Sequence, residues 1–251
     1  MNYQADWAAY FTNVDDQLAS IATDLGLRTV APIAGQDSLV YVSIRMLQPR
    51  HDGLSSQEDA DQLWKVEDDL VASFDGAAIG YAFAGRLTSA GFRDLYFYTD
   101  DPDRMTSAIR RTMTAFPPLT YEADHQPDNE WKVYFEFLYP RPQQLQIIRN
   151  WRVLEQLQQR GDDLSKSREV FHWIYFRTAA DRRQFEGFAQ DAGFQTVTCD
   201  RLAEPSDRPF YLTVSRVDKV GYDEVNEYTL MLWEKARTMD AKYDGWETSV
   251  E

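Results

Sequence analysis

Cysteine is almost absent from this sequence: Cys199 is the only one in 251 residues. An intramolecular disulfide is therefore impossible and a thiolate metal cluster is excluded, which fits a reducing cytoplasm. Histidine is scarce too, with His51, His125 and His172 the whole supply. A catalytic triad or zinc site needs several convergent ligands, and no His-Glu-x-x-His, Gly-rich phosphate loop or nucleophile elbow appears. No cofactor or metal is expected, and the chain does not read as an enzyme. No run of 18 apolar residues exists, and Met1-Asn2-Tyr3-Gln4-Ala5-Asp6 lacks a basic stretch followed by an apolar one. Neither a membrane span nor a signal peptide is expected, and the protein is placed in the cytoplasm. Basic residues are also in deficit: 26 Lys+Arg face 41 Asp+Glu, a net charge of −15. Residues 1–140 hold 10 Lys+Arg against 22 Asp+Glu, a net of −12, while the remainder holds 16 against 19, a net of −3. A field of that sign repels nucleic acid and favours basic partners, arginine-rich protein segments among them.

What is present is apolar and aromatic enough to fold. Hydrophobic residues make up 43% and aromatics 14%, which excludes a disordered chain. Trp7 to Phe11 and Ala19 to Ala22 read as short strands around Asn13-Val14-Asp15-Asp16. From Leu39 to Met46, Val40, Val42, Ile44 and Met46 alternate with Tyr41, Ser43 and Arg45, the period of a half-buried strand. Ser55-Ser56-Gln57-Glu58 has the form of a capping box before Leu63, Val66, Leu70 and Phe74 at helical spacing. A strand pair turns at Ser89-Ala90-Gly91. Asp100-Asp101-Pro102-Asp103 then caps a second helix, with carboxylates at its positive end. Trp131 to Tyr139 alternates aromatics with polar residues and reads as the strongest strand, preceded by a polar loop and ended by Pro140-Arg141-Pro142.

Beyond that stiff linker a third helix spans about Gln143 to Arg160, with Gly161 as its C-cap. A strand at Val170–Phe176 follows, then a helix opened by Thr178-Ala179-Ala180-Asp181 and closed at Gly193. Strands at Gln195–Cys199 and Phe210–Val217, a helix near Asp223–Met239 and a last strand complete the chain. Residues 39–139 and 170–250 thus spell strand-helix-strand-strand-helix-strand twice. The pattern predicts an α+β protein of two ferredoxin-like βαββαβ two-layer sandwiches in tandem, with domains at 1–140 and 141–251.

The remaining chemistry-bearing residues have structural readings. His172 is expected to be a satisfied sheet histidine and Cys199 a buried structural thiol. Asp100, Asp101 and Asp103 are explained by capping, and Asp15-Asp16, Asp68-Asp69 and Asp162-Asp163 by solvated faces. In the 170–176 strand, Phe171, Trp173 and Tyr175 lie opposite Val170, His172, Ile174 and Phe176, so both faces are apolar. One face of a two-layer sandwich has no helices, so the second aromatic set must be covered or used. Covers within reach are the helix at 143–160, the first domain or another subunit. Use as a base-stacking face would make the chain a nucleic-acid-binding module. A hydrolase with carboxylates in an inter-domain cleft is the other alternative.

Near the C-terminus, Tyr243-Asp244-Gly245-Trp246 reads as a tight turn flanked by two large aromatics that feeds the last strand. With Leu154-Glu155-Gln156-Leu157 before Gly161-Asp162-Asp163, His172-Trp173-Ile174-Tyr175-Phe176 and Gly193-Phe194, this motif makes residues 143–251 resemble the RraB family, bacterial regulators of ribonuclease E activity. The resemblance implies a ferredoxin-like fold and a non-catalytic role: binding the ribonuclease, chiefly its arginine-rich scaffold region, and lowering RNA decay. Tyr243, Asp244, Gly245 and Trp246 are the expected partner-binding residues. Residues 1–140 are similar to an uncharacterised domain found fused in front of such modules, judged by Gly53-Leu54, the Phe97-Tyr98 strand and Trp131 to Pro140. That similarity implies no activity.

Overall fold

The computed structural model describes residues 3–251 and divides into two units, the boundary falling between Arg141 and Pro142. In the first, strands β1 (Trp7–Val14) and β2 (Gln17–Asp24) form a hairpin. Its two loop residues, Asp15 and Asp16, have φ of 48° and 59°, as a turn matching the right-handed strand twist requires. There follow β3 (Ser38–Arg45), α1 (Gln57–Gly76), β4 (Tyr81–Ser89), β5 (Phe92–Thr99), α2 (Pro102–Met113) and β6 (Tyr121–Pro127). The sheet order is β1-β2-β4-β5-β3-β6, antiparallel throughout. The last four strands have the ferredoxin-like order, and the hairpin widens the sheet beside β4.

The core on the helix side joins Val40, Val42 and Ile44 of β3, Leu63, Val66, Leu70 and Phe74 of α1, and Met105, Ile109 and Met113 of α2. The N-cap of α1 is Ser56, one residue later than the capping-box pattern suggests. The Asp59 N–H donates to Ser56 Oγ, while the Asp59 carboxylate accepts from the N–H groups of Leu47 and Gln48 at 2.9 and 3.0 Å.

Two sequence expectations fail here. The fourth strand of the motif is β6, in the stretch read as a polar loop. An edge strand whose half-buried face is only Tyr121, Ala123 and His125, between the exposed Glu122 and Asp124, has too weak an apolar pattern to announce it. The stretch read as the strongest strand is instead a π-helical segment, Val133–Leu138. Its residues alternate, but Trp131, Tyr134 and Leu138 are also spaced along one face of a helix, and all three are fully buried. The segment covers the sheet face opposite α1 and α2. Trp131 stacks on Tyr98 of β5 at 3.9 Å and 7°, and its Nε1–H donates to the Gln36 carbonyl. The Tyr98 hydroxyl donates to Asp128 Oδ2 at 2.6 Å and accepts from the Tyr134 N–H.

The second unit runs α3 (Pro142–Gln159), β7 (Arg168–Phe176), α4 (Ala179–Asp191), β8 (Gln195–Arg201), β9 (Phe210–Asp218), α5 (Tyr222–Thr238) and β10 (Lys242–Thr248). Its sheet order, β10-β7-β9-β8, is again ferredoxin-like. Thr178 caps α4 as expected. The buried face of β7 (Val170, His172, Ile174, Phe176) meets Phe185, Leu212, Val214, Val225, Leu232 and the rings of Tyr243 and Trp246. Asp162, expected on a solvated face, has its side chain shielded from solvent by its partner. Its carboxylate takes two hydrogen bonds from the Arg168 guanidinium at 2.6 and 2.7 Å, and that pairing holds it below the usual carboxylate range.

Candidate functional site

The Tyr243–Trp246 motif is not a turn before the last strand but a bulge inside it. Along β10 the pairing with β7 runs Lys242↔Tyr175 and Tyr243↔Ile174, skips Asp244, and resumes at Gly245↔Trp173 and Trp246↔His172. Residues three apart therefore face the same way, and Tyr243 and Trp246 both enter the core. Gly245 sits at φ 142°, a region glycine tolerates and other residues rarely adopt. Tyr243 and Trp246 hold the bulge from inside, leaving Asp244 exposed and Gly245 half-buried at the surface.

The inner anchors are polar at one end. The Tyr243 hydroxyl lies 2.8 Å from His172 Nδ1. His172 is fully buried, edge-on to Phe194 and Tyr228, and its Nε2 has no hydrogen-bond partner. Burial first, and the positive charge of Arg216 second, lower its pKa to about 3. The ring is thus neutral, a sheet histidine half satisfied. Trp246 donates from Nε1 to Asn150 Oδ1 at 3.1 Å. The same oxygen accepts from Gln146 Nε2, and Asn150 Nδ2 donates to Asn226 Oδ1 and Thr229 Oγ1. This buried network ties α3, α5 and β10 together. Sequence reasoning missed it, because Gln146 and Asn150 are polar residues on the buried side of α3 and add nothing to an apolar pattern.

That network puts α3 in the helical layer beside α5, away from the other face of the sheet. The second aromatic set is therefore left uncovered by α3. Phe171, Trp173 and Tyr175 are half-buried, Phe171 lying 6.4 Å from Trp173 and Tyr175 6.2 Å from Tyr211 of β9. Trp173 pairs across the strands with Gly245, which offers no side chain of its own. Trp173, Tyr175, Asp244, Gly245, Trp246 and Glu247 line a depression of about 320 Å³. By strand register the same face carries Glu169, Asp200 and Glu247. Its lysine, Lys242, is tied to Asp244 at 2.6 Å.

The other sequence candidates stand apart. Cys199, expected to be buried, is exposed because β8 is an edge strand. Asp101 caps α2 and Asp103 meets His125 Nε2 at 3.3 Å. Among the described residues no three His, Cys, Asp or Glu are grouped to hold a metal ion, and no helix is long and apolar enough to cross a membrane. Two carboxyls are raised by burial. Glu67 is offset by Arg86, and Asp94 by hydrogen bonds from Ser43 and Tyr96. They lie on opposite faces of the first sheet.

Fold and surface together describe a tandem α+β protein whose second unit carries a half-buried aromatic sheet face that its own helices leave uncovered. The chain belongs to the family of unknown function DUF695, which it matches over residues 5–139. Residues 147–248 match the family described as regulator of ribonuclease activity B. No curated protein matches the chain. Among solved structures it is similar to an unknown protein from Galdieria sulphuraria, at 12% identity over 85% of this chain and 99% of that one, with a TM-score of 0.25. A putative glycine cleavage system transcriptional repressor matches at 12% identity over 84% and 98%, with a TM-score of 0.27. At such scores neither carries an argument.

Proposed function

We propose that the protein is a non-catalytic, cytoplasmic regulator of ribonuclease activity that works by protein–protein contact, with a basic, arginine-rich segment of a ribonuclease E-type enzyme as its partner. The match of residues 147–248 to a ribonuclease regulator supports the class. The observation that carries the choice of surface is the open face of the second sheet. Its half-buried rings Phe171, Trp173, Tyr175 and Tyr211 stand among Glu169, Asp200 and Glu247. Aromatic rings supply contact area and cation–π attraction, and the acids speed association with a basic chain. In this reading Asp244 and Gly245 touch the partner, while Tyr243 and Trp246 fix the bulge that presents them. A base-stacking role would want basic residues around the rings, and acids stand there instead.

The test is a titration of the purified full-length protein with a basic ribonuclease E scaffold segment and with a generic single-stranded RNA, each at low and physiological salt. The segment is expected to bind, more weakly at physiological salt, where screening acts over about 8 Å. Trp173→Ala and Asp244→Lys should each weaken it. Micromolar or tighter binding of RNA without binding of the segment would sink the regulator reading. Unchanged segment affinity in both variants would move the surface elsewhere.

A further inference from the structure

The first unit contains a pocket that the ribonuclease reading does not use. Because the β1–β2 hairpin widens the sheet beyond β4, the helix-side core takes in no residue of β1 or β2. On that uncovered side Trp7 of β1 stays 41% exposed. Beside it opens a cavity of about 540 Å³ walled by Tyr3, Trp7, Tyr81 and Phe83, reaching the end of α1 at Asp75. The walls are held in place. Phe83 stacks on Phe97 at 4.6 Å, and Trp7 leans on Phe83 at 5.0 Å. The Tyr3 hydroxyl donates to Asp24 Oδ2 at 2.9 Å and the Tyr81 hydroxyl to Asp75 Oδ1 at 3.1 Å. Burial, and then those carboxylates, push both phenols up to about 12, so they remain neutral donors.

The pocket's polar groups favour a cation. Asp24 and Asp75 supply negative charge, and no Lys, Arg or His lines the walls. Gln36, which also lines it, is only 6% exposed, and its Oε1 has no hydrogen-bond partner. A buried acceptor without a donor is costly, and a ligand N–H would relieve it. The adjoining surface already shows rings of this unit taking a guanidinium. Arg86, paired with Glu67 at 2.8 Å, lies 5.5 Å from the Trp7 ring and 4.2 Å from that of Trp64.

We propose that this pocket binds an arginine side chain of a partner protein, the guanidinium stacked on the aromatic walls and its N–H groups directed to Asp75 and Gln36. A planar, weakly hydrated fork of donors suits ring faces and scattered acceptors better than a compact ammonium does. The net charge of −12 over residues 1–140 draws such a segment in.

The experiment is an NMR titration of the full-length protein, at fixed ionic strength, with acetyl-Gly-Arg-Gly-amide, its lysine counterpart and the neutral citrulline isostere. Shifts should concentrate on the Trp7 indole and the amides of residues 79–83, with arginine binding more tightly than lysine and citrulline not binding. Trp7→Leu and Asp75→Asn, at an exposed ring and an exposed carboxylate, should each weaken arginine about fivefold or more, with the thermal melt showing that both variants fold. The shifts at the Trp7 indole should persist in Trp173→Ala, whose effect is confined to the second-unit face, which separates failure here from failure of the ribonuclease reading. Equal binding of arginine and citrulline, shifts spread over the acidic surface without Trp7, or wild-type affinity in both first-unit variants would overturn the proposal.

Discussion

His172 makes the second unit acid-labile, by an amount that follows from its burial. The folded ring has its pKa lowered from the ordinary 6.5 to about 3, whereas the unfolded chain regains the ordinary value. Below pH 6.5 the unfolded state therefore binds a proton that the folded state refuses until about pH 3. The stability this neutral histidine contributes is present above the unfolded pKa and drains away as the pH falls. Each unit of difference corresponds to about 1.4 kcal/mol, so lowering the pH from 7 to 5 should cost about 2 kcal/mol. Because pH 5 lies well above the folded value, the loss there is set by the unfolded pKa. Carboxylates such as Asp162 add their own acid dependence, so the measurement is a difference. Urea unfolding of the full-length protein and of His172→Gln is compared at pH 7 and pH 5. The amide keeps an acceptor for the Tyr243 hydroxyl but cannot titrate. The wild type should lose about 2 kcal/mol more than the variant over this interval. Equal losses, or a His172 ring signal that titrates near pH 6.5 in the native protein, would refute the reasoning.

Three further outcomes are expected. Trp131→Ala removes a fully buried indole stacked on Tyr98 and should destabilise the first unit by about 3–5 kcal/mol in urea unfolding; a loss below about 1 kcal/mol would mean that the π-helical segment does not cover the sheet. At Gly245 an added Cβ meets nothing within 4 Å, so Gly245→Ala tests backbone strain alone and should cost about 1–3 kcal/mol of second-unit stability. Asn150→Leu leaves the Trp246 Nε1–H without its acceptor and should cost about 1–3 kcal/mol. Trp246→Phe should recover part of that loss in a double-mutant cycle, and strict additivity would show the network to be uncoupled.

The sequence disclosed the architecture wherever one period ruled a stretch. Val40, Val42 and Ile44 can only be one face of a strand, and Leu63, Val66, Leu70 and Phe74 only one stripe of a helix. Trp131–Tyr139 satisfied both periods, and tertiary packing chose the helical one because Trp131, Tyr134 and Leu138 had a whole sheet face to cover. β6 escaped notice for the opposite reason: an edge strand with half-buried positions between charges looks like a loop. At the candidate site the aromatic motif itself was legible, but the skipped residue at Asp244 was not, since Asp-Gly signals a turn and a bulge equally well. The Asn150 network and the Arg168–Asp162 pair were invisible because their partners lie far along the chain or read as surface charge.

The irregularity in β10 also bears on how this sheet avoids its own kind. β10 and β8 are the two edges of the second sheet, and each breaks register with its neighbour, β10 between Tyr243 and Gly245 and β8 between Thr196 and Thr198. A bulged edge cannot offer an unbroken row of N–H and C=O groups to another chain, which is how soluble β proteins prevent edge-to-edge polymerisation. Both edges of this sheet therefore carry the irregularity that hinders strand addition.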